Sequence, residues 1–191
     1  MTAIILTGGQ NKRMGSNKAF LQLGDTIFIE HQISILHKIF NEIILSTNDF
    51  NLYKHLKLPM VSDIVPKKGP LSGIYSGLIH AKSKYSFVIA CDMPFINEKF
   101  IIFLKKFLGD YDIIAPETTR GIEPLHAFYS KNCIPQIYHC IKQDKLRILD
   151  FYQNVRVKLV NEETLKVMDI STQSLINLNT PEDYGKYCNS N

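Results

Sequence analysis

Residues 6–18, Leu-Thr-Gly-Gly-Gln-Asn-Lys-Arg-Met-Gly-Ser-Asn-Lys, are the stretch of this chain best suited to chemistry. They follow an apolar run, Ala3-Ile4-Ile5-Leu6, that reads as a buried N-terminal strand. Adjacent glycines at a strand end let backbone approach a ligand closely, because no Cβ intervenes. Backbone N–H groups in such a turn can point at phosphate oxygens. Lys12, Arg13 and Lys18 add positive charge to the same loop. Together these make a phosphate cradle. The spacing excludes two common cradles. Gly9 and Gly15 stand one residue too far apart for a P-loop, and Ser16 follows where the P-loop has Lys. Gly8 and Gly9 are adjacent, which breaks G-x-G-x-x-G.

A second constellation is Cys91-Asp92-Met93-Pro94-Phe95, after the apolar run Phe87-Val88-Ile89-Ala90. Ligands of open α/β sheets sit at the carboxyl ends of strands. Asp92 there would lie beside the glycine loop if the two strands are neighbours. It could then hold Mg²⁺, which takes oxygen ligands and bridges phosphates. Gly69-Pro70-Leu71-Ser72-Gly73-Ile74 reads as a turn feeding a helix whose free N–H groups suit a nucleotide. Asn48 and Asp63 are polar residues following apolar runs, where a turn or cap role competes with ligand contact. In the C-terminal half stand Glu123-Pro124-Leu125-His126-Ala127-Phe128-Tyr129 and Asn177-Leu178-Asn179-Thr180-Pro181-Glu182-Asp183. Asn177 and Asn179, spaced i and i+2 on a strand end, would share one face and offer amide hydrogen bonds. His126 on its own reads as a structural histidine.

The elements that must position these residues alternate. Strands are expected over residues 3–7, 42–46, 60–64 and 86–91. Helices are expected over 26–40, 50–56, 72–82 and from the Asn97 cap through Leu108. Beyond residue 110 the pattern loosens. Strands are expected at 111–115, 125–129, 155–160 and 175–178, and helices at 133–142 and 146–152. Thr180 as cap, Pro181 and Asp183 then open a last helix. This order predicts an α/β fold: three layers, with a mostly parallel, doubly wound sheet and helices on both faces.

The 191 residues suffice for one well-buried domain. The net charge of +4 suits an anionic small substrate and is too weak to argue nucleic-acid binding. No apolar run nears the roughly 20 residues of a membrane span, and no secretory signal is evident. The four cysteines form no C-x-x-C pair, so reduced, packed thiols in the cytoplasm are expected.

Leu6, Gly8, Gly9, Arg13, Met14, Gly15 and Lys18 resemble the L-A-G-G-x-x-x-R-M-G-x-x-K signature of the MobA-like nucleotidyltransferases, with Thr7 in place of Ala. The 123–129 and 177–184 segments resemble those of one branch, the molybdenum cofactor guanylyltransferases. Asn17 departs from the pattern, since many members carry Asp beside the Lys. The resemblance implies a Rossmann-like nucleotidyltransferase fold, with a nucleotide half at about 1–110 and an acceptor half at about 111–191. It also implies GMP transfer from GTP to molybdopterin, dependent on Mg²⁺. Its implied nucleotide site is Leu6, Thr7, Gly8, Gly9, Lys18, Asn48, Asp63, Gly69, Gly73 and Asp92. Arg13, Lys18 and Asp92 would be catalytic, with Asp92 the metal ligand. His126, Asn177 and Asn179 would hold the pterin. Its implied partners are GTP, the molybdopterin cofactor, other cofactor-biosynthesis proteins and the molybdoenzymes that accept the product. Sister enzymes using CTP, or a sugar phosphate as acceptor, share the glycine loop and Asp92. A non-catalytic adaptor would not need Arg13, Lys18 and Asp92.

Overall fold

The computed structural model describes residues 1–7, 18–178 and 180–188. Its centre is a sheet in which three parallel strands are buried from end to end, save for half-buried Glu42. These are β1 (Thr2–Leu6), β4 (Glu42–Ser46) and β6 (Tyr85–Ala90). Continuous apolar runs of this kind belong to strands covered on both faces. The remaining strands are β2 (Gln22–Leu23), β3 (Thr26–Ile27), β5 (Met60–Val61), β7 (Ile113–Thr118), β8 (Gly121–Ile122), β9 (His126–Ser130) and β10 (Val157–Asn161). The main sheet runs β10-β7-β9-β6-β1-β4-β5, with β8 hairpinned onto β7. β1 lies parallel between β4 and β6, in register Leu6↔Ser46 and Leu6↔Ala90. Only β9 runs against the rest of that path, antiparallel to both β6 and β7.

The helices are α1 (Phe28–Leu36), α2 (Phe50–Tyr53), α3 (Gly69–His80), α4 (Glu98–Lys105), α5 (Ile134–Lys142), α6 (Glu162–Val167) and α7 (Pro181–Cys188). Alternation along the strands divides the core in two. Ala3, Ile5, Phe87, Ile89 and Phe128 face one way, against Ile29 and Leu36 of α1, Phe100 and Leu104 of α4, and Leu165 of α6. Ile4, Leu6, Val88, Ala127 and Tyr129 face the other, against Leu71, Ile74 and Leu78 of α3 and Ile137 and Ile141 of α5. The expected three-layer, mostly parallel, doubly wound sheet is therefore present.

Three expectations need correction. Thr26 and Ile27 do not begin α1. They pair with Gln22 and Leu23 in a small hairpin turned at Gly24, and α1 starts at Phe28. Residues 146–152 are not an α-helix. A 3-10 stretch, Ile148–Asn154, buries Phe151 and Tyr152 instead. Residues 175–178 form no strand. A 3-10 turn, Thr172–Leu175, ends at Ile176, and the chain then crosses the end of the sheet. No helix among the described residues is long and apolar enough to cross a membrane.

Candidate functional site

Because β1, β4, β5, β6 and β7 point the same way, their carboxyl ends share one edge. Asp92 stands there, two residues beyond the end of β6, and β6 borders β1 as the sequence reading required. The Cys91 N–H donates to the Leu6 carbonyl at 3.1 Å, which fastens the two strand ends together. Lys18, where the chain leaves the glycine loop, reaches Asp92 with Nζ 3.2 Å from Oδ2. Both side chains are largely covered, 14% and 20% exposed, so a cation and a carboxylate meet at a sheltered edge. Cys91 beside them is no nucleophile. Burial, reinforced by the Asp92 charge, pushes its thiol up to about 12.

Two clamps hold the turn that carries Asp92. Gln32 of α1 is fully buried, and its Nε2 donates to the Ala90 and Met93 carbonyls at 2.9 and 2.8 Å. From the other side, the Leu178 N–H donates to the Asp92 carbonyl at 2.9 Å. Sequence reasoning passed over Gln32, although a signal exists. With Ile29, Ile33 and Leu36 it falls on the apolar face of α1, and a polar residue at a core position needs partners.

Toward β5, Asn48 and Asp63 follow β4 and β5 and bond reciprocally. The Asn48 amide donates to Asp63 Oδ2 at 2.8 Å, and the Asp63 N–H donates to Asn48 Oδ1 at 3.0 Å. Each fixes the other on an open rim. Gly69 opens α3 on the same side, exposed, at φ +63°, a conformation that favours glycine.

Several of the residues expected at the nucleotide put their side chains, or the space a Cβ would fill, into the packed interior. A Cβ on Gly73 would lie 2.9 Å from Ser46 Oγ and 3.1 Å from a Leu6 methyl. Gly73 therefore lets α3 settle onto β1 and β4, and it is buried away from the rim. Leu6 puts its side chain in that same core. Thr7 is 5% exposed, and its hydroxyl and N–H both donate to the Ser46 carbonyl, at 3.1 and 3.0 Å. His126 is corrected most firmly. It is fully buried in β9, its ring centroid 5.0 Å from both Phe87 and Phe100. Burial lowers its pKa to about 3, so the ring is neutral and out of reach of an acceptor. Gly8, Gly9, Arg13 and Asn179 lie outside the described residues.

On the opposite side of Asp92 from Asn48, Asn177 donates its amide to Glu123 Oε2 at 3.3 Å. The sequence reading named Asn177 and left Glu123 without a role. Thr180 and Asp183 form the expected reciprocal cap, Thr180 N–H to Asp183 Oδ2 at 2.9 Å and Asp183 N–H to Thr180 Oγ1 at 3.1 Å.

Residues 3–157 match the family model described as the MobA-like NTP transferase domain. The chain belongs to the MobA-like NTP transferase family. It is a nucleotidyltransferase. Two relatives carry the name "Probable molybdenum cofactor guanylyltransferase". The one from Pelotomaculum thermopropionicum is 36% identical over 97% of this chain and 90% of its own length. The one from Carboxydothermus hydrogenoformans is 38% identical over 97% and 94%. The fold matches the crystal structure of molybdopterin-guanine dinucleotide biosynthesis protein A from Archaeoglobus fulgidus. The TM-score is 0.84, at 24% identity, over 99% of this chain and 97% of that one.

In this MobA-like transferase the edge thus divides into three parts. Asn48, Asp63 and Gly69 lie on one side, Lys18 and Asp92 in the middle, and Glu123 and Asn177 on the other.

Proposed function

We propose that the transferase moves GMP from GTP to the terminal phosphate of a molybdopterin cofactor. The observation that carries this is the sheltered Lys18–Asp92 pair at the joined ends of β1 and β6, with a polar rim on each side. The names of its relatives supply the guanylyl donor and the molybdenum acceptor. An oxygen of the acceptor phosphate attacks the α-phosphorus of GTP in line. The bond from that phosphorus to the bridging oxygen breaks, and its electron pair leaves with pyrophosphate. No general base is needed, because a phosphate monoester is already anionic at neutral pH. The protein's work is positioning and charge neutralisation.

Gly8 and Gly9 would present N–H groups to the β- and γ-phosphates, while Arg13 and Lys18 offset charge on the departing pyrophosphate. Asp92 would hold Mg²⁺, which supplies further neutralisation on the phosphate oxygens when bound. The donor set fits that ion. Among the described residues no three His, Cys, Asp or Glu side chains gather. A lone carboxylate suits Mg²⁺, which keeps its waters and takes phosphate oxygens in place of a full protein cage. Asn48, Asp63 and Gly69 would lie along the nucleoside, and Asn177 with Asn179 along the acceptor. This reading gives donor handling to about residues 1–110 and acceptor handling to 111–191. Cys91, Cys133 and Cys140 are buried and unbridged, which supports a cytoplasmic setting.

Pyrophosphate release, measured with each of the four nucleoside triphosphates and with or without molybdopterin, tests the reading. GTP with the pterin should give turnover well above every other combination. Preference for CTP, or turnover with a sugar phosphate alone, would overturn it.

Gln32 yields a second prediction. Gln32→Leu keeps the bulk but leaves the Ala90 and Met93 carbonyls without its amide, a loss of about 1–3 kcal/mol. The melting temperature should fall. The Mg²⁺ concentration for half-maximal activity should also rise several-fold, because the Asp92 turn loosens. A melting loss with an unchanged Mg²⁺ requirement would confine Gln32 to the core.

A further inference from the structure

Beyond Asp92, on the side away from Asn48 and Asp63, Thr118, Arg120, Ile122, Glu123, Leu175 and Asn177 line a cavity of about 230 Å³. That is smaller than the roughly 300–1,000 Å³ of a site for a whole drug-sized ligand, and suits one ring system. Ile122 and Leu175 give it apolar walls. Arg120 and Glu123 give it one charge of each sign.

The cavity adjoins the chemistry through two short connections. Asn177 precedes Leu178, whose N–H holds the Asp92 carbonyl. Glu123 stands two residues before Leu125, whose carbonyl accepts the Ala90 N–H at 3.2 Å. The Asp92 charge is felt at Glu123, so a ligand seated here borders the Asp92 turn.

Glu123 is held in a particular way. Its Oε1 accepts the Leu125 N–H at 3.2 Å, and its Oε2 accepts the Asn177 amide. A carboxylate has about four lone-pair positions on two oxygens. One position on each oxygen is therefore used internally and one on each remains, which is what a bidentate partner with two parallel N–H donors requires. Burial pushes the Glu123 carboxyl up, so the group stands to gain from such donors. Arg120 does not close over it. Its guanidinium donates to the Leu175 carbonyl at 3.2 Å, on the cavity wall.

We propose that Glu123 reads the head of the acceptor, pairing its carboxylate with the ring N–H and 2-amino group of a 2-amino-4-oxopyrimidine edge seated in this cavity. The role rests on the guanylyl-transfer reading for its placement beside the reacting phosphates. Two molecules of that reaction carry the same edge, the pterin of the acceptor and the guanine of GTP. The position of the cavity, across Asp92 from Asn48 and Asp63, favours the pterin.

The test uses free pteridines on the whole chain. Biopterin fluoresces, and the chain contains no Trp to interfere. The lumazine used for comparison carries the same 6-dihydroxypropyl chain as biopterin and differs from it only in having a carbonyl in place of the 2-amino group. Wild-type protein should bind biopterin about tenfold or more tightly than lumazine, the worth of one lost charge-assisted hydrogen bond turned to repulsion. Glu123→Gln should erase that preference and keep GTP affinity. Glu123→Asp, with the charge retained, should restore part of it and guards against a folding defect in the first variant. GTP should not displace biopterin. Equal wild-type binding of the two pteridines, an unchanged preference in Glu123→Gln, or displacement by GTP together with weaker GTP binding in Glu123→Gln would each overturn the role. These outcomes are separable from the function itself. Wild-type protein that prefers biopterin but makes no pyrophosphate would sink guanylyl transfer and leave Glu123 standing. Guanylyl transfer without the preference would sink only Glu123.

Discussion

Asp92→Asn is expected to reduce guanylyl transfer by on the order of a hundredfold or more, the scale of losing a preorganised charge where phosphate charge develops. The substitution keeps the size and one oxygen, but gives up the negative charge that attracts Mg²⁺. It also ends the ion pair with Lys18 Nζ at 3.2 Å. That pair is sheltered, but the replacement amide keeps an oxygen for Lys18 Nζ, so stability should change by only about 1–2 kcal/mol. The clamps on the turn survive, because Gln32 and the Leu178 N–H bind backbone carbonyls of residues 90, 92 and 93. The signature is thus lost turnover with near-normal melting. Pyrophosphate release across a Mg²⁺ titration, paired with thermal unfolding, measures both. Wild-type turnover at ordinary Mg²⁺, or a structure with GTP and Mg²⁺ in which Asp92 stands far from the ion, would refute the metal role.

The parts of this fold that the sequence made legible are those where one local signal has no competitor. β1, β4 and β6 are apolar runs covered on both faces, and the expected spans fall within a residue of the observed ones. The Asn97 cap, which accepts the Phe100 N–H, follows from chemistry that acts over three residues. Local signals misled where burial came from elsewhere. Leu175, Ile176 and Leu178 resemble a strand because two of them are fully covered. They are covered by lying across the sheet end, with Leu178 bonded to Asp92, and not by joining a ladder. The Gly24 hairpin was hidden because Thr26 stands at helical spacing from Ile29 and Ile33 and so reads as the first turn of the same helix.

The candidate site divides along the same line. That Asp92 would stand beside the end of β1 depended only on strand adjacency, and β1 and β6 are neighbours. The function of Gly73 could not be read in the same way. A glycine that spares a ligand and one that spares Ser46 Oγ look alike until the packing is known. His126 could have been read from period-two alternation, which puts it on the face of Phe128, between Phe87 and Phe100. Glu123 was visible in the sequence only as the first residue of the 123–129 segment, with nothing to give it a role. Its place depends on Asn177, 54 residues away along the chain.

Lys18→Ala is expected to lower turnover by an order of magnitude or more, with the fold intact. The motive is a cation at the exit of the glycine loop, placed to neutralise the departing pyrophosphate. The ion pair with Asp92 sharpens the expectation. In the ligand-free protein the Lys18 charge competes with any cation that approaches the Asp92 carboxylate. Removing it should therefore leave the Mg²⁺ requirement unchanged or lowered, even as turnover falls. Asp92→Asn should move the Mg²⁺ requirement the other way. The two substitutions should also be non-additive, since each removes the other's partner. Steady-state turnover of both single variants and the double variant, each at several Mg²⁺ concentrations, closes the cycle. Wild-type turnover in Lys18→Ala at saturating GTP and Mg²⁺ would remove Lys18 from the phosphate cradle. A Mg²⁺ requirement that rises in Lys18→Ala as steeply as in Asp92→Asn would instead mean that Lys18 only orients Asp92. It would then have no separate part in offsetting the charge of the leaving pyrophosphate.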